Sequence, residues 1–385
     1  MLIYFINEIN KFLFSNTRSI FCLNLDEHKI FLRRLSDKLS IKDSYLIRSY
    51  YQFLCYKKLI GTVKLFILNI AGFFLFIPVL LVFLINCLRT RKNVTDHNLA
   101  VCTAVNEDII PKSLSSRYSI LLINNSGFCL EFSDLIFISR ILIKYPFSSF
   151  FVLKNVFKIA QYKYFIRKYN CKALIVTSEY SFTSSLLTSY CEEQNVKHIN
   201  IMHGEKFYHI IDSFFSFNEC YVWDVHYMNL FISLGAATDQ FTVEKPPFYY
   251  EMQKLSGNTG FGLKYYLDGT ESITEIQKLV ESLESKFESL IFRAHPILTN
   301  IQTLEKNHIN FENPRLVKIS DSLKNCEYVC AKYSTVLNQA SIMNRKIVLD
   351  DLSDPKLFQQ LKSMNYIMFT KPHIRLSELL TNSNS

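Results

Sequence analysis

A histidine and a glutamate flank a glycine in Met202-His203-Gly204-Glu205-Lys206, which follows the apolar run His198–Met202. If that run is a strand, Gly204 permits a tight turn, and His203 and Glu205 project from the strand's carboxyl end. A neutral imidazole placed there accepts a proton from a hydroxyl nucleophile near pH 7. Its plainer role is a hydrogen bond to a loop carbonyl. Glu179 lies just past Ala173–Thr177 and before a helix opened by Ser181. It is a carboxylate base, a group that orients His203, or a first-turn acid that complements a helix dipole.

The second half carries a different set. Arg293-Ala294-His295-Pro296 ends another apolar run, and Pro296 stops it. From a strand end, Arg293 and His295 would neutralise charge on a departing phosphate. Ser334 and Thr335 follow Tyr328–Ala331 and open a helix, whose first N–H groups form an anion site. Asp350 and Asp351 end the next run, suited to ribose hydroxyls or to a turn.

What is missing narrows the chemistry. The chain has no G-x-x-x-x-G-K-[ST], no G-x-G-x-x-G, no H-E-x-x-H and no G-x-S-x-G. It has no Asp-x-Asp either, the usual metal grip of metal-dependent sugar transferases. A mechanism without metal or cofactor, with charge handled by side chains and a helix terminus, is expected. Cys326 and Cys330 form a lone C-x3-C with no second pair, so core packing is expected of them rather than zinc.

These residues need strand ends to hold them, and the pattern after residue 100 supplies strands. Short β-branched runs alternate with helical stretches: strand Ser119–Asn124, helices Ser133–Lys144 and Val156–Tyr169, strand Ala173–Thr177, helix Ser181–Gln194, strands His198–Met202 and Glu219–Trp223, helix Val225–Leu234. After Pro246-Pro247, a rigid pair suited to a linker, come strand Leu263–Leu267, helix Ser272–Phe287, strands Leu290–Arg293, Leu316–Ile319 and Tyr328–Ala331, helix Thr335–Met343 and strand Lys346–Leu349. Alternation of this kind indicates βαβ units with a parallel sheet. Two such domains, 101–245 and 246–385, are expected to face each other across a cleft at the carboxyl ends of their strands.

Charge sets the first hundred residues apart. The chain carries a net charge of +9, and residues 1–100 hold 14 Lys/Arg against 6 Asp/Glu, the remainder 29 against 28. A nearly neutral α/β region lacks the basic face that nucleic acid requires, so no nucleic-acid partner is expected. With 33 Phe and 22 Tyr but only 9 Gly, each glycine is the more informative. From Leu65 to Leu88 there are 24 residues without a formal charge, flanked by Lys57, Lys58 and Lys64 on one side and Arg89, Arg91 and Lys92 on the other. About 20 apolar residues suffice to cross a bilayer. The matching basic flanks favour a re-entrant hairpin broken at Gly72 and Pro78 over a straight span. Residues 1–100 are thus read as a helical, membrane-associated region.

The residues quoted above carry a resemblance. A strand–His-Gly turn in the first half, with Arg-x-His-Pro and a Ser-Thr helix start in the second, resembles the GT-B glycosyltransferases of bacterial surface polysaccharides. It is similar in particular to the group holding capsule Kdo transferases, bacterial sialyltransferases and CDP-glycerol glycerophosphotransferases. The stretch His203–Gly235 shares their His-Gly, an apolar strand ending in Trp/Gly, and a helix ending in Leu-Gly. The resemblance covers roughly residues 115–370. It implies two Rossmann-like domains, His203 or an acid (Glu179, Glu205) as the catalytic base, and His295, Ser334 and Thr335 on the nucleotide phosphates. The implied reaction is inverting sugar transfer in O-antigen or capsule synthesis, from a nucleotide-activated donor, CMP-linked by preference, to a lipid-linked glycan at the cytoplasmic face of the inner membrane. The alternatives are polyol-phosphate transfer from a CDP-glycerol- or ribitol-type donor, or a non-catalytic membrane scaffold.

Overall fold

The computed structural model describes residues 25–39, 44–90, 98–103, 107–124, 127–256, 260 and 262–381. It divides into two compact units, Met1–His203 with Tyr208–Pro246, and Gly204–Phe207 with Pro247–Ser385.

The first unit opens with helices α1 (Leu25–Ser36), α2 (Tyr45–Ile60) and α3 (Thr62–Arg89). There follow β1 (Leu99–Cys102), α4 (Lys112–Arg117), β2 (Ser119–Leu122), α5 (Phe132–Lys144), α6 (Ser149–Tyr169), β3 (Ala173–Val176), α7 (Ser184–Glu193), β4 (Lys197–Ile201), β5 (Glu219–Val222), α8 (Val225–Ser233) and β6 (Phe241–Val243). The strands form one parallel sheet in the order β2-β1-β3-β4-β5-β6. Strands β1, β3 and β4 are almost wholly buried, as strands covered on both faces must be. Chain direction across the sheet reverses between β1 and β3, and the loop after β3 carries Glu179. In open α/β sheets, ligands bind beside such a reversal, at the carboxyl ends of the strands.

The hairpin expected over residues 65–88 is not formed. A single helix runs from Thr62 to Arg89, straight through Gly72 and Pro78. Gly72 has another role: a Cβ built on it would lie 2.8 Å from the Ser149 carbonyl carbon and 2.9 Å from the Phe150 nitrogen. It is the point where α3 touches the backbone of α6. Three residues earlier, Asn69 Oδ1 accepts the Phe150 N–H at 3.0 Å. That bond satisfies an amide in the first turn of α6 that no side chain of α6's own N-cap reaches. A packed partner, rather than a chain reversal, therefore explains both the glycine and the one amide side chain early in the apolar run. Leu65, Leu68, Gly72, Val79, Phe83 and Cys87 are buried along one stripe of α3. The opposite stripe leaves Phe66, Phe73, Phe74, Ile77 and Leu88 exposed. Among the described residues α3 is the one helix long and apolar enough to cross a membrane by length and composition. Arg91 and Lys92 lie outside the described residues.

Gly72→Val should therefore detach α3 from α6. Overpacking a tight contact costs about 1–3 kcal/mol, so the thermal unfolding of the purified chain should shift downward. Phe73→Ala, on the exposed stripe, should leave the transition in place.

The second unit contains α9 (Pro247–Lys254), β7 (Leu263–Tyr266), α10 (Ile273–Glu284), β8 (Leu290–Arg293), α11 (Ile301–Lys306), β9 (Phe311–Glu312), α12 (Ile319–Lys324), β10 (Tyr328–Ala331), α13 (Thr335–Ile342), β11 (Lys346–Leu349), α14 (Pro355–Ser363), β12 (Ile374–Arg375) and α15 (Leu376–Thr381). Its parallel sheet has the order β12-β11-β10-β7-β8-β9. Counted from β7 as the first strand, this is the 3-2-1-4-5-6 order of the Rossmann sheet, with its reversal between β7 and β10. Leu263, Tyr265, Phe292, Cys330 and Val348 pack with Leu279 and Leu283 in its core. The strand expected at Leu316–Ile319 is absent. Asn313 takes the amides of Leu316 and Val317 on its carbonyl and that of Arg315 on its side chain, making a turn, and α12 starts at Ile319. Leu316 itself is exposed, and the strand in this region is β9. Cys326 and Cys330 are both buried.

Candidate functional site

In the first unit, two loops at the carboxyl end of the sheet bring Glu179 and His203 together. Glu179 follows β3 and is fully buried; His203 follows β4 and keeps a side-chain exposure of 41%. His203 Nδ1 stands 3.5 Å from Glu179 Oε1. A carboxylate at Nδ1 favours the tautomer whose proton sits on that nitrogen, leaving Nε2 with a lone pair. The Tyr180 ring meets the imidazole edge-on at 6.2 Å.

Several bonds hold these loops in place. Asn200 Oδ1 on β4 accepts the Ser178 amide at 2.8 Å, tying the Glu179 loop to the neighbouring strand. Ser184 Oγ donates to the Ser178 carbonyl at 2.6 Å. The only tryptophan, Trp223, donates its indole N–H to the Met202 carbonyl at 3.1 Å and so fixes the residue before His203. Gln52 on α2, fully buried, places its amide nitrogen 2.7 Å from both the Glu179 and the Ile211 carbonyls. Ser49, one turn earlier, donates to the Phe182 carbonyl. The N-terminal helices are thus part of the first unit and clamp the loop that carries the carboxylate.

The second unit corrects two expectations. Arg293 does not face outward. It is buried, pairs with Glu312 and donates to the Val317 carbonyl at 2.8 Å. Glu312 also holds the buried Lys264 at 2.7 Å. With its charge already met inside the fold, Arg293 has no guanidinium face left for a phosphate. Asp351 accepts both the amide (2.9 Å) and the hydroxyl (2.6 Å) of Ser377, so its carboxylate anchors α15 rather than a ribose. Its neighbour Asp350 is buried and accepts the amides of Leu352 and Ser353, each at 2.9 Å, in a turn. Glu205 takes the Asn338 amide at 2.7 Å on one carboxylate oxygen, and its own N–H donates to Thr335 Oγ1 at 3.4 Å.

His295 is held by the turn it introduces. Its Nδ1 accepts the amides of Ile297 at 3.2 Å and Leu298 at 3.1 Å, and its own N–H donates to Thr299 Oγ1 at 2.9 Å. With Nδ1 used as acceptor, the proton of the neutral ring resides on Nε2 as a donor. Burial lowers the imidazole's affinity for a second proton, and the Asp268 charge only partly opposes it. Ser334 caps α13 with its hydroxyl on the Val336 amide at 3.2 Å, while its own N–H donates to the Tyr366 hydroxyl at 3.1 Å.

A cluster the sequence pattern did not flag sits at the reversal between β7 and β10. Lys332, just past β10, lies 3.1 Å from Glu271 and 3.7 Å from Asp268, which follows β7. Burial works against ionisation of Asp268, but bonds from Thr270 and the Lys332 charge bring it below the usual carboxylate range. Burial and the Asp268 charge push Glu271 up. The only local signal for this cluster was an acidic group two residues beyond a strand, too common to single out.

No protein-family model matches the chain, and no curated protein matches it. Among solved structures it is similar to the wall teichoic acid polymerase TagF, with a TM-score of 0.42 at 9% identity over 83% of this chain and 87% of that one. It is also similar to the UDP-GlcNAc 2-epimerase of Methanocaldococcus jannaschii in complex with UDP-GlcNAc and UDP, with a TM-score of 0.41 at 12% identity over 69% of this chain and 92% of that one. For MnaA of S. aureus in its structure with UDP the TM-score is 0.42 at 10% identity, over 71% and 91% of the two chains.

Proposed function

We propose that this chain is a metal-independent, inverting glycosyltransferase that moves a sugar from a nucleotide donor to a hydroxyl of a lipid-linked glycan. The observation that carries the reading is the buried Glu179 carboxylate 3.5 Å from Nδ1 of a half-exposed histidine at the carboxyl end of a parallel sheet. In the proposed step, His203 Nε2 takes the proton of the acceptor hydroxyl while that oxygen bonds to the anomeric carbon. The bond from that carbon to the donor phosphate breaks, and its electron pair leaves with the phosphate. Glu179 stabilises the imidazolium formed on the way. In the second unit, the Nε2–H of His295 and the start of α13 at Ser334 and Thr335 are donors suited to a nucleotide phosphate.

Membrane association belongs to the same proposal. The exposed apolar stripe of α3 contacts the lipid while the opposite stripe stays packed on α6, so the helix lies along the bilayer surface rather than across it. A crossing helix would draw α6, with Lys154, Lys158, Lys163 and Arg167, into hydrocarbon. The anchored enzyme works at the cytoplasmic face of the inner membrane.

The test is a thermal-shift panel of CMP, CDP, UDP, GDP and dTDP against the purified chain, followed by turnover with sugars carried on the nucleotide that binds. One nucleotide should stabilise well beyond the others, and the product should carry sugar without donor phosphate. Phosphate retained in the product would replace this reading with polyol-phosphate transfer. No response to any nucleotide would remove the transferase reading.

A further inference from the structure

We propose that Lys154 and Lys158, on the N-terminal half of α6, form a binding site for a phosphate or diphosphate group at the carboxyl edge of the first sheet.

Topology places them there. Helix α6 precedes β3 through a short loop and runs antiparallel to it. Its 21 residues span about 31 Å, whereas the four of β3 span about 13 Å, so its first half overhangs the strand ends. The Tyr162 hydroxyl meets His198 Nε2 at 3.0 Å, and His198 is in register with Leu174 of β3. Lys158 and Lys154 lie one and two turns nearer the N-terminus, about 6 Å and 12 Å further along the axis. At about 3.3 Å per strand residue, that puts Lys158 level with the end of β3 and Lys154 level with the Ser178–Glu179 loop.

Their surroundings set these two lysines apart. Both are half-buried. Among the described residues no carboxylate pairs with either, and the neutral Gln161 side chain, 3.0 Å from Lys158 Nζ, is the one hydrogen-bond partner shown for the pair. The chain treats other sequestered cations differently. Lys163, on the same helix, contacts Glu131 and Asp134; Lys264 has Glu312; Lys332 has Glu271 and Asp268. Burial lowers the proton affinity of Lys154, and burial together with the charge of Lys154 lowers Lys158 to about 8. Two like charges four residues apart on a helix repel each other, and their partial removal from water adds a cost. An anion bridging them offsets both terms. With Cβ atoms about 6 Å apart, two flexible lysines acting as point charges suit the several oxygens of a phosphate or diphosphate.

This site is built from first-unit residues alone and does not depend on the transfer chemistry. The full-length chain in detergent is titrated with sodium pyrophosphate at constant ionic strength, and unfolding temperature and binding heat are followed. A saturable rise in unfolding temperature is expected for the wild-type chain. In K154M/K158M the unfolding temperature without pyrophosphate should rise, because an uncompensated charge pair is gone, and the pyrophosphate Kd should weaken by more than about tenfold. K154R/K158R, which keeps both charges, should retain the saturable response and serves as the folded reference. The same saturable rise in K154M/K158M, or no rise in the wild-type chain, would overturn the site.

Discussion

His203→Ala lowers transfer by about 10²–10⁴-fold at saturating donor and acceptor, the usual loss when a general base is removed. The ring is half-exposed and Gly204 follows it, so little packing is lost with it, and the unfolding temperature should hold. Nucleotide binding should hold as well, because the proposed phosphate donors belong to the second unit. The measurement is initial rate against donor concentration. Turnover within a few-fold of wild type would remove His203 from the mechanism.

Glu179→Gln should cost a loss of the same order, about 10²–10⁴-fold, through a different physical step. The amide keeps the shape of the carboxylate but carries no charge to stabilise the imidazolium, and it no longer selects the tautomer. Stability should move the other way. Glu179 is fully buried, and replacing a buried charge by a neutral isostere removes a desolvation penalty. Loss of rate with an unchanged or raised unfolding temperature is therefore the expected pair of results. A matching fall in both would mean that Glu179 is a structural group and that its place beside His203 is incidental.

What the sequence made legible follows from range. Parallel α/β units show up as short β-branched runs between helical stretches, and that signal is local. The Glu179–His203 pair was within reach for the same reason, since each residue lies just past such a run. Side chains whose partners are distant in the chain are not legible in this way. Arg293 reads as a ligand group because nothing near it announces Glu312, which aligns with it only once β8 pairs with β9. Asp351 reads as a ribose partner because Ser377, which uses both its oxygens, is 26 residues away. The Lys332 cluster depends on β7 and β10 becoming neighbours, a pairing no local pattern encodes. Gly72 shows the same limit from the opposite direction. Alone it reads as a helix breaker, and the Ser149 backbone is what makes it a contact point.

The amide of Gln52 that grips the Glu179 carbonyl also decides how this chain can be handled at the bench. Expression trials that trim everything before the first strand would discard α2 and α3 along with the greasy exterior they aim to remove. The shortened product would lose the clamp on its carboxylate loop and leave Phe151 and Phe182 without the rings of Phe53 and Tyr56 packed around them. Repainting Phe66, Phe73, Phe74 and Ile77 with polar side chains keeps the scaffold whole and is the sounder route to a detergent-free preparation.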